Sequence, residues 1–234
     1  MQIALLFFVH GLTGHQNEHI FYNAARFFPL NGFSTCRFNL YSGEAQGRVL
    51  SQTTIKDHVQ DLDLVIRYFR QDFMYVALVG HSLGGVVILQ SSESANAIIL
   101  WDSSTKLSND DGDELFTYSQ CLDAYIEHWG TENIISKSMV EEWKNLPEPA
   151  DLVKNLTQPI KIMCAGKGVL INVGKEYFNA ATTLKEFSLI ENATHNFNEE
   201  GAEEELFKQT LQWLSEKDVM EAKNLLEAVH KPKE

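Results

Sequence analysis

The chain has 234 residues, of which 44% are hydrophobic and 22% are charged, a composition typical of an ordinary globular protein. Its 32 acidic and 19 basic residues give a formal net charge of −13, which repels polyanions and argues against nucleic acid as a partner. Three widely spaced cysteines, Cys36, Cys121 and Cys164, predict neither a disulfide framework nor a zinc ribbon and favour a reducing cytoplasm. The apolar run 3–9 is too short for a signal core, and we expect no membrane span.

Six short apolar runs alternate with helical stretches along the chain. They cover residues 3–9, 33–38, 73–79, 97–101, 160–164 and 183–189. Most are continuous rather than alternating, which is typical of strands buried on both faces of a parallel sheet. The alternation predicts an open, doubly wound α/β sheet with right-handed crossovers, which would bind ligands at the carboxyl ends of its strands.

The clearest helix is predicted between the second and third runs. Thr54 and Asp57 have the spacing of an N-terminal capping box. The apolar positions that follow recur at helical intervals: Ile55, Val59, Leu62, Ile66 and Phe69. Two more helical stretches are predicted between residues 203 and 229, with apolar positions Phe207, Leu211 and Leu214 in the first and Ala222, Leu225 and Val229 in the second.

Residues 103–158 interrupt the alternation of strand and helix. They contain eleven acidic residues and four lysines, and Pro147 and Pro149 lie near their end. We expect them to form a helical cap or lid over a core made of residues 1–102 and 159–234. Aromatic residues in this segment could contact an apolar acyl or aryl group or form a small core of the cap itself: Phe116, Tyr118, Tyr125, Trp129 and Trp143.

The motif with the most specific chemistry is Gly80-His81-Ser82-Leu83-Gly84, directly after the third run. G-x-S-x-G between a strand and a helix is the pattern of a nucleophile elbow, a strained turn that exposes the serine hydroxyl at a helix N-terminus. The alternative is a glycine-rich turn whose serine only caps the helix. The strand and helix on either side of this motif favour the nucleophile.

A second glycine motif, His10-Gly11-Leu12-Thr13-Gly14, follows the first run. Acyl transfer to a serine needs two backbone N–H donors for the oxyanion, one after the nucleophile and one after an earlier strand. Leu83 and Leu12 are the candidates. On its own this segment could be a plain glycine turn. The nearby pair His15 and His19 could share a helix face as metal ligands, but no third ligand is evident.

These motifs resemble those of the serine members of the α/β-hydrolase superfamily. The resemblance covers nearly the whole chain and implies a mostly parallel sheet of about six strands flanked by helices, without the first two strands of the family. It also implies a late catalytic histidine, and His195, after the last predicted strand, matches that position. The 10–18 segment is similar to bacterial carboxylesterases of the cinnamoyl or feruloyl esterase type.

The chain departs from the common family pattern at the triad acid. Most members place an aspartate after the penultimate strand, but the matching positions here are Gly168 and Val169. Asp102 follows the preceding strand, a position that some members use, and we assign it as the acid that orients His195. It could instead cap the turn that follows it. Glu191 is a further alternative acid.

The resemblance implies a Ser82, His195, Asp102 triad that cleaves a small-molecule carboxylic ester through an acyl-enzyme, without a cofactor. Thioester or lactone hydrolysis and acyl transfer to an alcohol would use the same groups, and a peptidase is a further possibility. Because the usual acid position is empty, a non-catalytic ligand-binding protein on the same scaffold is the alternative from a different class. The sequence leaves the oligomeric state open.

Overall fold

The computed structural model describes residues 2–107, 115–129 and 131–216. Six parallel strands form a central sheet: β1 (Gln2–Val9), β2 (Ser34–Arg37), β3 (Phe73–His81), β4 (Ala97–Trp101), β8 (Ile160–Ala165) and β9 (Lys185–Ile190). Their spatial order in the sheet is β2-β1-β3-β4-β8-β9. All six lie where the apolar runs predict them, and the predicted parallel sheet is confirmed.

Helices cover both faces of this sheet, which is why its strands carry continuous apolar runs. One face is covered by α1 (His19–Leu30) and α7 (Ala202–Glu216), and Phe8, Phe28 and Phe207 pack together there. The helices that cover the other face are α2 (Ile55–Arg70), α3 (Leu83–Gln90) and α6 (Ile171–Ala180). The sheet is therefore doubly wound, with an apolar core on each side.

The helix predicted to begin after Thr54 is α2, and its capping box is confirmed. The Thr54 hydroxyl accepts a hydrogen bond from the Asp57 backbone N–H at 3.0 Å, and the Asp57 carboxylate accepts one from the Thr54 backbone N–H at 3.0 Å. The first of the two helices predicted after residue 203 is α7, which begins at Ala202. The second prediction, with Ala222, Leu225 and Val229, lies outside the described residues.

The segment between β4 and β8 differs from the helical cap that we expected. It contains two short helices, α4 (Lys137–Lys144) and α5 (Pro149–Val153). It also contains an antiparallel sheet of three four-residue strands, β5 (Phe116–Ser119), β6 (Ala124–Glu127) and β7 (Asn133–Ser136). The sequences of β6 and β7, AYIE and NIIS, do not alternate strictly between apolar and polar residues, so the pattern did not predict strands there.

The aromatic residues of this segment contact one another. Phe116 and Trp143 are buried, and the Phe116 ring lies 6.0 Å from the Trp143 ring and 5.9 Å from the Trp129 ring, measured between centroids. Trp143 Nε1 donates a hydrogen bond to the Thr105 carbonyl at 2.7 Å, which ties α4 to the chain just after β4. These contacts favour the small aromatic core over a set of substrate-facing rings.

Within the described ranges, the helices are all too short or too polar to cross a membrane. The three cysteines are free, with Cys164 buried and Cys121 exposed.

Candidate active site

Ser82 occupies a strained turn between β3 and α3. Its φ of 53° and ψ of −125° lie where L-residues with a side chain are rarely found. Neighbouring segments fix this backbone on both sides: the Ser82 N–H donates to the Trp101 carbonyl at 3.2 Å, and the Ser104 N–H donates to the Ser82 carbonyl at 3.2 Å. The Ser82 side chain makes no capping bond to α3, so the structure does not support the capping alternative.

The glycines two residues before and two residues after Ser82 allow this turn, because the backbone approaches closely at both positions. A Cβ atom added to Gly80 would lie 2.5 Å from the Gly84 carbonyl oxygen, and one added to Gly84 would overlap the Val9 carbonyl oxygen at the end of β1. Only glycine permits such close approach. The G-x-S-x-G spacing therefore brings the start of α3 directly against the end of β1, where the His10 loop begins.

The His10 loop lies beside the serine. A Cβ added to Gly11 would lie 2.8 Å from Ser82 Cβ and 3.3 Å from Ser82 Oγ. Leu12 follows in this loop, and Leu83 is the first residue of α3, where helix N–H groups lack intrahelical partners. Thr13 has a φ of 58°. The structure thus brings together the two segments that carry the candidate oxyanion donors.

His10 stabilises this loop as a neutral side chain. Its Nδ1–H donates to the Gly11 carbonyl at 2.8 Å, and its Nε2 accepts a hydrogen bond from the Leu40 N–H at 3.0 Å. One nitrogen donates and the other accepts, which is the pattern of a neutral imidazole. Burial lowers the pKa of His10 to about 4, because the charged form would lose its hydration.

Asp102 and His195 are in direct contact. His195 Nδ1 lies 2.7 Å from Asp102 Oδ2, and the Ala165 N–H donates to Asp102 Oδ1 at 3.1 Å. Asp102 is fully buried and has a φ of 42°, whereas the His195 side chain is 41% exposed. The carboxylate thus points across the carboxyl ends of β4 and β8 towards His195, and it does not cap the turn after β4.

Gly168, the position where the common family pattern has the acid, lies beside the Asp102 carboxylate. A Cβ added to Gly168 would lie 3.3 Å from Asp102 Oδ2. A side chain at position 168 would therefore enter the space that the Asp102 carboxylate occupies. Glu191, the alternative acid, is exposed, and within the described residues His195 has its carboxylate contact with Asp102 alone.

Among the described residues, no side chain forms a hydrogen bond with the Ser82 hydroxyl. Hydrogen bonds between nucleophile and base are often long in ligand-free sites and tighten when substrate binds. The site therefore has a free serine hydroxyl, a histidine paired with a buried carboxylate, and a glycine loop against the serine. Such an arrangement can activate a hydroxyl for nucleophilic attack.

The candidate metal pair His15 and His19 does not share a helix face, because α1 begins only at His19. His19 Nδ1 bonds to Glu203 Oε1 at the start of α7, and His15 Nδ1 accepts a hydrogen bond from the Asn17 N–H at 3.0 Å. Glu18 lies between them, with its carboxylate against Gly14. Burial raises the pKa of Glu18, although His15, His19 and His195 oppose that shift.

Two residues near the site were not singled out from the sequence. The Tyr177 hydroxyl of α6 donates to the Ser104 carbonyl at 2.8 Å and anchors the segment that carries Asp102. His81, the variable residue before Ser82 in the elbow motif, contacts His195 through both its ring and Nε2. No sequence signal marks Tyr177. His81 is marked only by its place in the elbow motif, at a position where the motif accepts any residue.

Comparison with solved structures shows the same fold in several hydrolases. The chain is similar to Est1E from Butyrivibrio proteoclasticus with bound ferulic acid, with a TM-score of 0.75, 15% identity and coverage of 92% of this chain and 89% of that one. It is also similar to a structure described as LipS and LipT, two metagenome-derived lipolytic enzymes, with a TM-score of 0.72, 16% identity and coverage of 92% and 94%.

Mouse alpha/beta hydrolase domain-containing protein 10 is a third match, with a TM-score of 0.70, 17% identity and coverage of 91% and 90%. No family model matches the sequence, and no curated protein matches it. The structural likeness spans almost the whole described chain. The α/β-hydrolase fold indicated by the sequence motifs is confirmed.

Proposed function

We propose that this protein, which has the α/β-hydrolase fold, is a serine hydrolase that cleaves a small-molecule carboxylic ester through an acyl-enzyme. The hydrogen bond between His195 Nδ1 and Asp102 Oδ2, beside a serine held in a strained turn, is the observation that carries the proposal. A buried carboxylate in this position orients the imidazole and stabilises its charged form. Neighbours of the same fold that are described as lipolytic enzymes and as a monoacylglycerol lipase give further support.

The proposed reaction has two halves. His195 Nε2 takes the proton from Ser82 Oγ as this oxygen forms a bond with the ester carbonyl carbon. The oxyanion is stabilised by the backbone N–H groups of Leu12 and Leu83, and the alcohol leaves with the proton from His195. Water, deprotonated by His195, then attacks the acyl-enzyme, and its products are the carboxylic acid and free Ser82.

Residues 103–158 form the proposed cap over the core made of residues 1–102 and 159–234. The cap joins the core through two hydrogen bonds: Ser136 Oγ donates to the Thr53 carbonyl at 2.5 Å, and the Glu142 carboxylate accepts from the Lys56 N–H at 3.0 Å. We propose that this segment selects the acyl or alcohol group. A neighbour of the same fold binds ferulic acid, so esters of ferulic acid and related aryl-substituted acids are the first class to test.

Turnover of a panel of a ferulate ester, aryl esters with short and long acyl chains, a thioester and a peptide amide tests this proposal. Wild type should hydrolyse at least one ester, and Ser82→Ala should abolish that activity. Ser94→Ala, which changes an exposed serine between α3 and β4, is the matched control and should behave as wild type. Hydrolysis of the thioester or amide alone would change the substrate class and keep the mechanism.

The non-catalytic binding protein is the second candidate, and the unbonded Ser82 hydroxyl is the observation that favours it. A binding protein would retain ligand affinity after Ser82→Ala and would hydrolyse none of the panel. An enzyme would lose its turnover with that change.

A further inference from the structure

His81 joins the segment that carries the nucleophile to the segment that carries the base. It is the last residue of β3, directly before Ser82, and it pairs in register with Trp101, directly before Asp102. Its side chain lies under the His195 ring, with the ring centroids 4.7 Å apart and the planes tilted by 34°. One residue therefore lies next to all three members of the proposed triad.

The polar contact of His81 has a defined direction. His81 Nε2 lies 2.8 Å from the backbone carbonyl oxygen of His195, and a carbonyl oxygen can only accept, so Nε2 carries the hydrogen and donates it. Two further rings lie edge-on to it, Phe21 at 6.3 Å and Phe197 at 6.2 Å between centroids. Among the described residues, the hydrogen bond of the His81 side chain is the one to the His195 carbonyl.

His81 stays neutral while His195 exchanges protons. Burial first, and then the positive charges that His195, His19 and His10 can carry, lower the pKa of His81 to about 3, although the hydrogen bond to the His195 carbonyl acts in the opposite direction. A side chain with this pKa cannot serve as a base near neutral pH. Its neutral ring can lie under the His195 imidazolium without charge repulsion.

The His81 bond completes a set of constraints on the turn that carries His195. Before the turn, Thr194 is fixed by Glu199, which accepts hydrogen bonds from the Thr194 N–H at 3.0 Å and from its hydroxyl at 2.5 Å. After it, Phe197 is fully buried, has a φ of 54° and donates its N–H to the Thr194 carbonyl at 2.9 Å. His81 holds the residue between these two fixed points.

From these contacts we propose that His81 is a positioning residue that fixes His195 relative to Ser82 through the hydrogen bond to the His195 carbonyl. The inference rests on the proposed function, since it concerns the base of the same site. Misplacement of a reacting group by about 1 Å costs on the order of 100-fold in rate. The carbonyl bond should therefore contribute to turnover more than to substrate binding.

Two substitutions separate the hydrogen bond from the ring. His81→Phe keeps a planar ring under His195 and removes the donor, whereas His81→Gln removes the ring and keeps an N–H at nearly the position of Nε2. We expect His81→Phe to lower kcat by about 10- to 100-fold with KM nearly unchanged, and His81→Gln to recover most of that loss. Tyr68→Phe, which removes an exposed hydroxyl on α2 and keeps the ring, is the matched control outside the cap and the site.

Active-site titration with a fluorophosphonate counts the reactive serines. The value of kcat is then calculated per reactive serine, so that misfolded protein does not lower it. Hydrogen exchange of the segment 191–199 gives a readout that needs no turnover: His81→Phe should exchange faster there than wild type, and His81→Gln should not. Equal kcat per site and equal exchange in His81→Phe and wild type would overturn the inference, as would a loss in His81→Gln as large as that in His81→Phe. Inactive wild type with these exchange differences would refute only the proposed function.

Discussion

Asp102 Oδ2 lies 2.7 Å from His195 Nδ1, although the two residues are 93 positions apart in the chain. The parallel sheet makes this contact possible, because β4 and β9 end at the same edge and Asp102 and His195 follow them. The contact joins a partly exposed imidazole to a fully buried carboxylate. Asp102, directly after β4, is the only acid that contacts His195 in the described part of the chain.

Replacing Asp102 by Asn should lower kcat by about 10³- to 10⁴-fold, because the amide cannot stabilise the imidazolium that forms in the transition state. Asparagine tolerates the positive φ of 42° and can keep the bond from the Ala165 N–H, so the fold should persist. Steady-state kinetics and thermal unfolding of the variant measure the two effects. A kcat within twofold of wild type would remove Asp102 from the triad and make Glu191 the next acid to test.

Gly168→Asp in the Asp102→Asn background should restore part of the lost activity. A Cβ at position 168 would lie 3.3 Å from Asp102 Oδ2, the atom that contacts His195, and 3.2 Å from two atoms of Ala165, which must shift slightly. We therefore expect a carboxylate at position 168 to reach His195. We expect kcat to rise at least about tenfold over the single variant, a small part of the loss. Gly168→Asn in the same background adds nearly the same volume without the charge and should restore nothing. Equal rates in the two double variants would show that the position does not reach the base.

The sequence predicted the six parallel strands and α2 because each carries a periodic or continuous pattern that local residues determine. It also singled out Ser82 and His195 as candidates, because the elbow motif and the position after the last strand are local signals. Whether Asp102 reaches His195 depends on the register of β4 beside β8 and on a positive φ, which no local pattern shows. The contact of His81 with His195 joins segments 114 positions apart and was invisible for the same reason.

The His10 loop gives a test of how closely the backbone must approach the serine. Gly11→Ala would put a methyl group 2.8 Å from Ser82 Cβ, and we expect kcat/KM to fall by about 100-fold or more as Ser82 or the loop shifts. Gly43→Ala is the matched control, since a Cβ there meets nothing within 4 Å. The rate of fluorophosphonate labelling should follow the same order. Full activity in Gly11→Ala would place the loop too far from Ser82 to supply an oxyanion donor.

The burial of His58 should make the stability of the folded chain depend on pH. Burial lowers its pKa to about 3, and neither ring nitrogen has a hydrogen-bond partner among the described residues. In the unfolded chain the His58 imidazole binds a proton near pH 6.5, whereas in the folded chain it stays neutral down to about pH 3. The contribution of neutral His58 to the stability of the folded state is therefore complete above pH 6.5 and is lost as the pH falls towards 3. The free energy of unfolding should therefore decrease by about 1.4 kcal/mol per pH unit for this group.

His58→Phe should remove that contribution, because phenylalanine keeps a ring beside Tyr41, whose ring centroid lies 5.7 Å from that of His58, and it cannot be protonated. Denaturant unfolding at pH 7 should give wild-type stability or more, since no hydrogen bond is lost. Between pH 6 and 4 the variant should lose less stability than wild type. Parallel curves for the two proteins would mean that His58 is protonated in the folded state.

Labelling with a fluorophosphonate, read by intact mass and peptide mapping, shows whether Ser82 is an activated nucleophile. We expect one adduct per chain on Ser82, none in Ser82→Ala, and slower labelling in Asp102→Asn, because the reagent reacts with a serine activated by an oriented histidine. The Ser94→Ala control should label as wild type does. Wild type that stays unmodified under conditions that label an active serine esterase completely would show that Ser82 is not activated by His195.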